Sequence, residues 1–150
     1  MQTQEGYIQF NCDWRETEIL PVGIFQPMNV VRSVCFNKGL VGVDVQGIGF
    51  GNLSERIGDS REFLITGTQT GALPELAWEH YCLVKDYDFS RYWVACEGPI
   101  RPSSEALTHA AVYAACQQIK VIVHVHHAAL WQYGCECLPR VLHDEHALLL

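Results

Sequence analysis

The residues best suited to chemistry are His124 and His126, in the stretch IKVIVHVHH, 119–127. In an extended strand every second side chain points to the same face, so the two imidazoles would leave the backbone about 7 Å apart on one side. A neutral imidazole nitrogen is the commonest metal ligand, and catalytic zinc takes three protein ligands plus an open position. The H-x-H pair supplies two of the three. The same pair would serve equally as hydrogen-bonded histidines of a core or strand end, and the spacing alone leaves both readings open. For proton transfer the candidate is Glu105, in GPIRPSSEALTHAAVYAAC, 98–116. A carboxylate in the first turn of a helix is favoured by the helix dipole, and His109 follows on the same face four residues later. That face either looks at the histidine pair or carries an exposed ion pair.

These side chains need a strand and a helix to hold them. The valines and isoleucines between 119 and 125 have the density of a buried strand. Ahead of it, Pro102 with Ser103 or Ser104 makes a capping start, and Ala106, Leu107, Ala110, Ala111 and Ala114 follow as an apolar stripe. Only Gln117 and Gln118 separate this helix from the strand, so the two are expected to be neighbours. Further upstream, Pro27 opens a second predicted helix. It carries Val30, Val31, Val34 and Cys35 toward a sheet and stops at Gly39. A strand is expected around Tyr7, Ile8 and Phe10, with a polar turn from Asp13 to Glu18.

Two loops could hold a ligand. In GIGFGNLSERI, 47–57, Gly47, Gly49 and Gly51 alternate, but Asn52 stands where a dinucleotide fingerprint needs its third glycine, which excludes that reading. Alternating glycines point instead to close approach of a backbone or ligand, with Asn52 and Ser54 as polar contacts, or to a bulged strand and turn. In EFLITGTQTGALPEL, 62–76, a strand over Phe63 to Ile65 runs into a Gly/Thr-rich loop that either cradles a phosphate or carboxylate or is simply solvated. Ala77 to Asp86, around HYCLVKDYD, and Tyr92 to Cys96 read as a hairpin.

At 150 residues, 49% of them hydrophobic, the chain is of the size of a single domain, 1–150. A formal charge of −7 without any basic cluster excludes a nucleic-acid binder. No apolar run reaches the roughly 20 residues of a membrane helix, and the first residues lack the pattern of a signal peptide. A soluble, cytoplasmic protein with no membrane partner is expected. The seven cysteines form no even framework and read as reduced thiols. The Cys135 and Cys137 pair is too little for a zinc site.

GNLS (51–54), FLITGTQTG (63–71), PSSE-x-x-x-H (102–109) and HVHH (124–127) stand in the order and spacing of the class II aldolase/adducin family, which the chain resembles from about residue 25 to 131. The resemblance implies an α/β fold, three-layer α/β/α with a mostly antiparallel central sheet, assembled as a homo-oligomer, a tetramer. It implies a small-molecule substrate, a sugar phosphate or related hydroxycarbonyl compound, in a metal-dependent lyase or epimerase. By position His124 and His126 would bind the divalent metal, most often Zn²⁺, and Glu105 would be the general acid/base. Asn52, Thr68, Ser103 and Ser104 would hold the phosphate, with the loop register open between Thr68 with Gln69 and Thr70 with Gly71. The alternative is a non-catalytic, adducin-like structural module. Family members take a third histidine from beyond H-x-H. His143 and His146 arrive too early for it, so the expectation is a chain lacking that C-terminal part or completing the site differently.

Overall fold

The computed structural model describes residues 8–18, 25–130, 132 and 147–149. Cys135, Cys137, His143 and His146 lie outside them. Strands β1 (Asn11–Glu16), β4 (Asn52–Arg56), β5 (Phe63–Thr66), β6 (Tyr81–Asp88), β7 (Trp93–Gly98), β8 (Val121–His126) and β9 (Ala147–Leu149) form one sheet in the order β1-β7-β6-β5-β4-β8-β9. Only the β1–β7 pair is parallel. The short strands β2 (Gly42–Val43) and β3 (Gly49–Phe50) pair separately, and helices α1 (Phe25–Asn37) and α2 (Ala106–Ala115) complete the regular elements used below.

Two apolar clusters follow from the period of two along the central strands. On β5, Phe63 and Ile65 join α2's Ala106, Ala110 and Tyr113, while Leu64 between them joins Met28 and Cys35 of α1. On β6, Cys82 and Val84 fall in the first cluster and Tyr81 and Leu83 in the second. Strands buried on both sides carry continuous apolar runs, which is why FLI and YCLV lack polar alternation. His124 and His126 share the face of Ile122, which packs in the α2 cluster.

Three expectations need correction. The segment expected to turn, Asp13 to Glu18, is mostly strand: β1 runs to Glu16, zipped to β7 with the Trp14 indole N–H donating to Gly98 O at 3.1 Å. An edge strand can be polar on both sides, so its sequence carried no alternation to read. On α1 Cys35 is buried as expected, but Val30, Val31 and Val34 are exposed, and Met28 and Arg32 are buried in their place. Finally, α2 starts at Ala106, after a turn in which Ser103 Oγ accepts the Glu105 N–H at 3.3 Å.

Backbone contacts at one end of the sheet set the site. Antiparallel pairing puts Asn52 opposite His124. The loop after β5 is stitched to the approach to α2 by a bridge between Gly67 and Pro102, with Thr68 N donating to Arg101 O and Ser103 N to Thr66 O. At the other end of α2, Arg56 of β4 donates to the carbonyls of Tyr113, Cys116 and Ile119, a cation where the helix dipole is negative. That clamp fixes the turn from α2 into β8. Gly51 is a point of close approach: its φ is +75°, and a Cβ there would stand 3.0 Å from His124 O and Leu40 O and 2.9 Å from Val41 Cγ2. Gly51→Ala is therefore expected to destabilise the fold by about 2–4 kcal/mol, from left-handed strain plus overpacking. Urea unfolding checks this, and a loss below about 1 kcal/mol would contradict the close approach.

Candidate functional site

Seven residues singled out from the sequence line a single cleft: Asn52, Thr68, Ser103, Ser104, Glu105, His124 and His126. Both alternatives for the loop register are present in it, since Gln69, Thr70 and Gly71 line it too. Three strand ends and one helix start converge there, because β4 lies between β5 and β8 and the β5 loop is tied to residues 101–103.

His124 and His126 face each other, with Nε2 to Nε2 at 3.2 Å. His124 Nδ1 lies 3.4 Å from Asn52 Nδ2. If the amide donates to Nδ1, the neutral ring carries its proton on Nε2, and that proton points at His126 Nε2. The chain is satisfied except at Asn52 Oδ1, which is buried without a hydrogen-bond partner among the described residues. Turned over, the same amide would accept from Nδ1–H and leave Nε2 bare, the tautomer that a metal ligand requires. Burial, reinforced by His126, lowers the pKa of His124 to about 4 and keeps the ring neutral.

The donor set fits a divalent ion in part. Two imidazole nitrogens on one tetrahedral zinc stand about 3.3 Å apart, close to the 3.2 Å between these two. Among the described residues no group of three His, Cys, Asp or Glu side chains is placed to hold an ion. The pair could thus supply two ligands to an ion but not three, and Glu105 lines the same cleft.

On the anion side, no lysine or arginine among the described residues lines the cleft. Gln69 adopts φ +59°, and among the described residues the N–H groups of Gln69, Thr70 and Gly71 make no backbone hydrogen bond. A left-handed residue within a run of free amides is the local geometry from which anion nests are built. The Thr70 hydroxyl is spent on Gly67 O at 2.9 Å, whereas Thr68 is half-buried at the cleft. Ser103 Oγ accepts from Glu105 N and keeps its own proton to donate.

His109 and Ser54 were each open to two readings in the sequence, and the His109 ring lies 6.4 Å from that of His124. His109 is fully buried rather than paired with Glu105 at the surface, and Ser54 faces it rather than a ligand: Ser54 Oγ lies 2.7 Å from His109 Nδ1 and 2.8 Å from Tyr113 Oη. Tyr113 Oη reaches Lys120 O at 3.5 Å, which can only accept. Donation therefore runs His109 to Ser54 to Tyr113 to Lys120. It leaves the His109 Nε2 lone pair buried without a partner among the described residues. Burial, with a smaller contribution from His124, lowers the His109 pKa to about 3.

A pH dependence of stability follows. Both histidines have folded values below their ordinary 6.5, so on acidification the unfolded chain takes up protons first. Their contribution is fully present above about pH 6.5 and is lost as pH falls toward 4 for His124 and 3 for His109. Without added metal, the melting temperature is expected to drop steadily from pH 7 to pH 5, and His109→Gln to flatten that slope. A melting temperature unchanged across this window in the wild-type chain would contradict the buried neutral histidines.

A mixed α/β fold with a mostly antiparallel sheet and a polar cleft of histidines, hydroxyls and loop amides at one end of its strands is the class of protein defined so far. Residues 38–150 match the Class II Aldolase and Adducin N-terminal domain, and the chain belongs to that family. No curated protein matches it.

Proposed function

We propose that the chain is a metal-dependent lyase or epimerase of the class II aldolase lineage, acting on a small hydroxycarbonyl compound that carries a phosphate. The observation that supports this most is the convergence in one cleft of an imidazole pair, a carboxylate and an anion-type loop. Each is ordinary alone. Together they match the three needs of such a reaction: a Lewis acid, a proton carrier and a hold on a remote anionic group.

His124 and His126 would hold the divalent ion, and when bound it would polarise the carbonyl and hydroxyl oxygens of the substrate and stabilise the charge of an enediolate. Asn52 sets which nitrogen of His124 is bare, and its N–H₂, once the amide is turned over, is free for an anion. Thr68, Ser103, Ser104 and the amides of residues 69–71 would bind the phosphate, aided by the positive end of the α2 dipole. Glu105, at the head of α2 and lining the same cleft, would take a proton from a substrate hydroxyl or return one to carbon. We also read the two clusters with α1 and α2 as the outer layers of a three-layer α/β/α domain that assembles as a homo-oligomer, with Zn²⁺ as the resident ion.

The test is turnover. A panel of ketose and ketulose phosphates, incubated with the Zn²⁺-loaded chain, is expected to yield an aldehyde and a phosphorylated three-carbon ketone, or the epimer. The chelated chain should yield neither. Equal product with and without metal would overturn the reading. A folded, metal-loaded chain inert on the whole panel would favour the structural module.

A further inference from the structure

Arg32 is the largest side chain buried to within 2% of its surface, and among the described residues it forms an ion pair with no carboxylate. It stands in the middle of α1, on the far side of the sheet from α2. Its guanidinium donates to four carbonyls of one loop: Thr70 at 3.0 Å, Gly71 at 3.4 Å, Pro74 at 3.1 Å, and Leu73. The Phe36 ring lies against it at 4.8 Å. A buried cation without an anion is costly, and carbonyl dipoles offset only part of that cost. A well-packed methionine could fill the space more cheaply, so stability alone does not account for an arginine here.

The loop it grips is the one whose Gln69, Thr70 and Gly71 line the cleft. Carbonyls of Thr70 and Gly71 drawn onto the guanidinium are turned away from any ligand, which leaves the amide face of that stretch to the cleft. Carbonyl oxygens there would repel an anion. The charge matters as well, because among the described residues no lysine or arginine lines the cleft, and a buried cation is weakly screened over short distances.

We propose that Arg32 is a positioning and specificity residue of the cleft: it holds loop 67–74 with its carbonyls turned inward and supplies the positive field that selects a phosphate-bearing ligand over a neutral one. This rests on the anion-binding reading above. Inorganic phosphate is the probe, titrated calorimetrically into the wild-type chain and the Arg32→Lys, Arg32→Gln and Thr68→Val variants, each checked for fold by near-ultraviolet circular dichroism. Phosphate should bind the wild type and bind Thr68→Val more weakly. Arg32→Gln, losing charge and fork together, should weaken it about tenfold or more, as expected for a lost charged hydrogen-bonding group. Arg32→Lys, which keeps the charge but not the fork, should recover part of that loss. Amide exchange at residues 69–71 should quicken in both Arg32 variants.

A wild-type chain that ignores phosphate would overturn the anion site and this proposal with it. Phosphate binding by the wild type with unchanged affinity in folded Arg32→Gln would overturn the role of Arg32 alone. If Arg32→Gln fails to fold, wild-type affinity and wild-type exchange in Arg32→Lys would do the same.

Discussion

Replacing His124 and His126 together by alanine is expected to abolish binding of a divalent ion while leaving most of the fold intact. Both rings sit at the end of β8, and neither belongs to the apolar clusters that hold α1 and α2. Their Nε2 atoms already stand 3.2 Å apart, so an ion would find them largely arranged. Removing one ligand leaves a single imidazole, and each lost protein ligand costs pre-organisation that water cannot replace. Single substitutions should therefore lower affinity by about 10- to 100-fold, the scale on which metal sites respond to loss of a supporting group. The double substitution should take it below detection. Equilibrium dialysis with zinc against the folded variants reads this, and metal retained at wild-type stoichiometry would rule out the pair as ligands.

Glu105→Gln carries the second large effect. Glutamine keeps the volume and hydrogen-bonding reach of the carboxylate and removes its charge and its capacity to carry a proton. Its residue lies at the entrance to α2, where the fold depends on the Ser103 Oγ bond to the Glu105 backbone N–H rather than on the Glu105 side chain alone. Turnover should fall by about 10²–10⁴-fold, the usual scale of a lost general acid/base, with the melting temperature within a few degrees of wild type. The split to look for is a fall in kcat with little change in KM, since the group acts on the reacting centre rather than in uniform binding. A large loss of stability with unchanged turnover per folded molecule would assign Glu105 to the fold.

Much of the scaffold was legible because its periods are strong. Valine and isoleucine density marked β8, Pro27 and Gly39 bracketed α1, and the tetrad of motifs ordered the cleft's lining along the chain. What the sequence did not carry were pairings. That Asn52 lies opposite His124 depends on the register of β4 against β8, and nothing local in GNLS states its partner strand. Ser54 and His109 looked like surface or ligand groups because polarity usually means exposure, yet each satisfies the other inside the core. Arg32 was missed for the same reason: the three valines of α1 were the obvious buried face in the sequence, yet they point outward and the face that is buried holds an arginine.

The most direct measurement is the histidine ring ¹H–¹⁵N spectrum of the labelled chain, recorded before and after one equivalent of Zn²⁺. With the ion added, the Nε2 resonances of His124 and His126 are expected to move to metal-bound positions together. His124 should then show its proton on Nδ1, held by Asn52, while His109 keeps its neutral signature. Zinc bound at full stoichiometry with both rings unmoved would contradict the histidine pair as the metal centre.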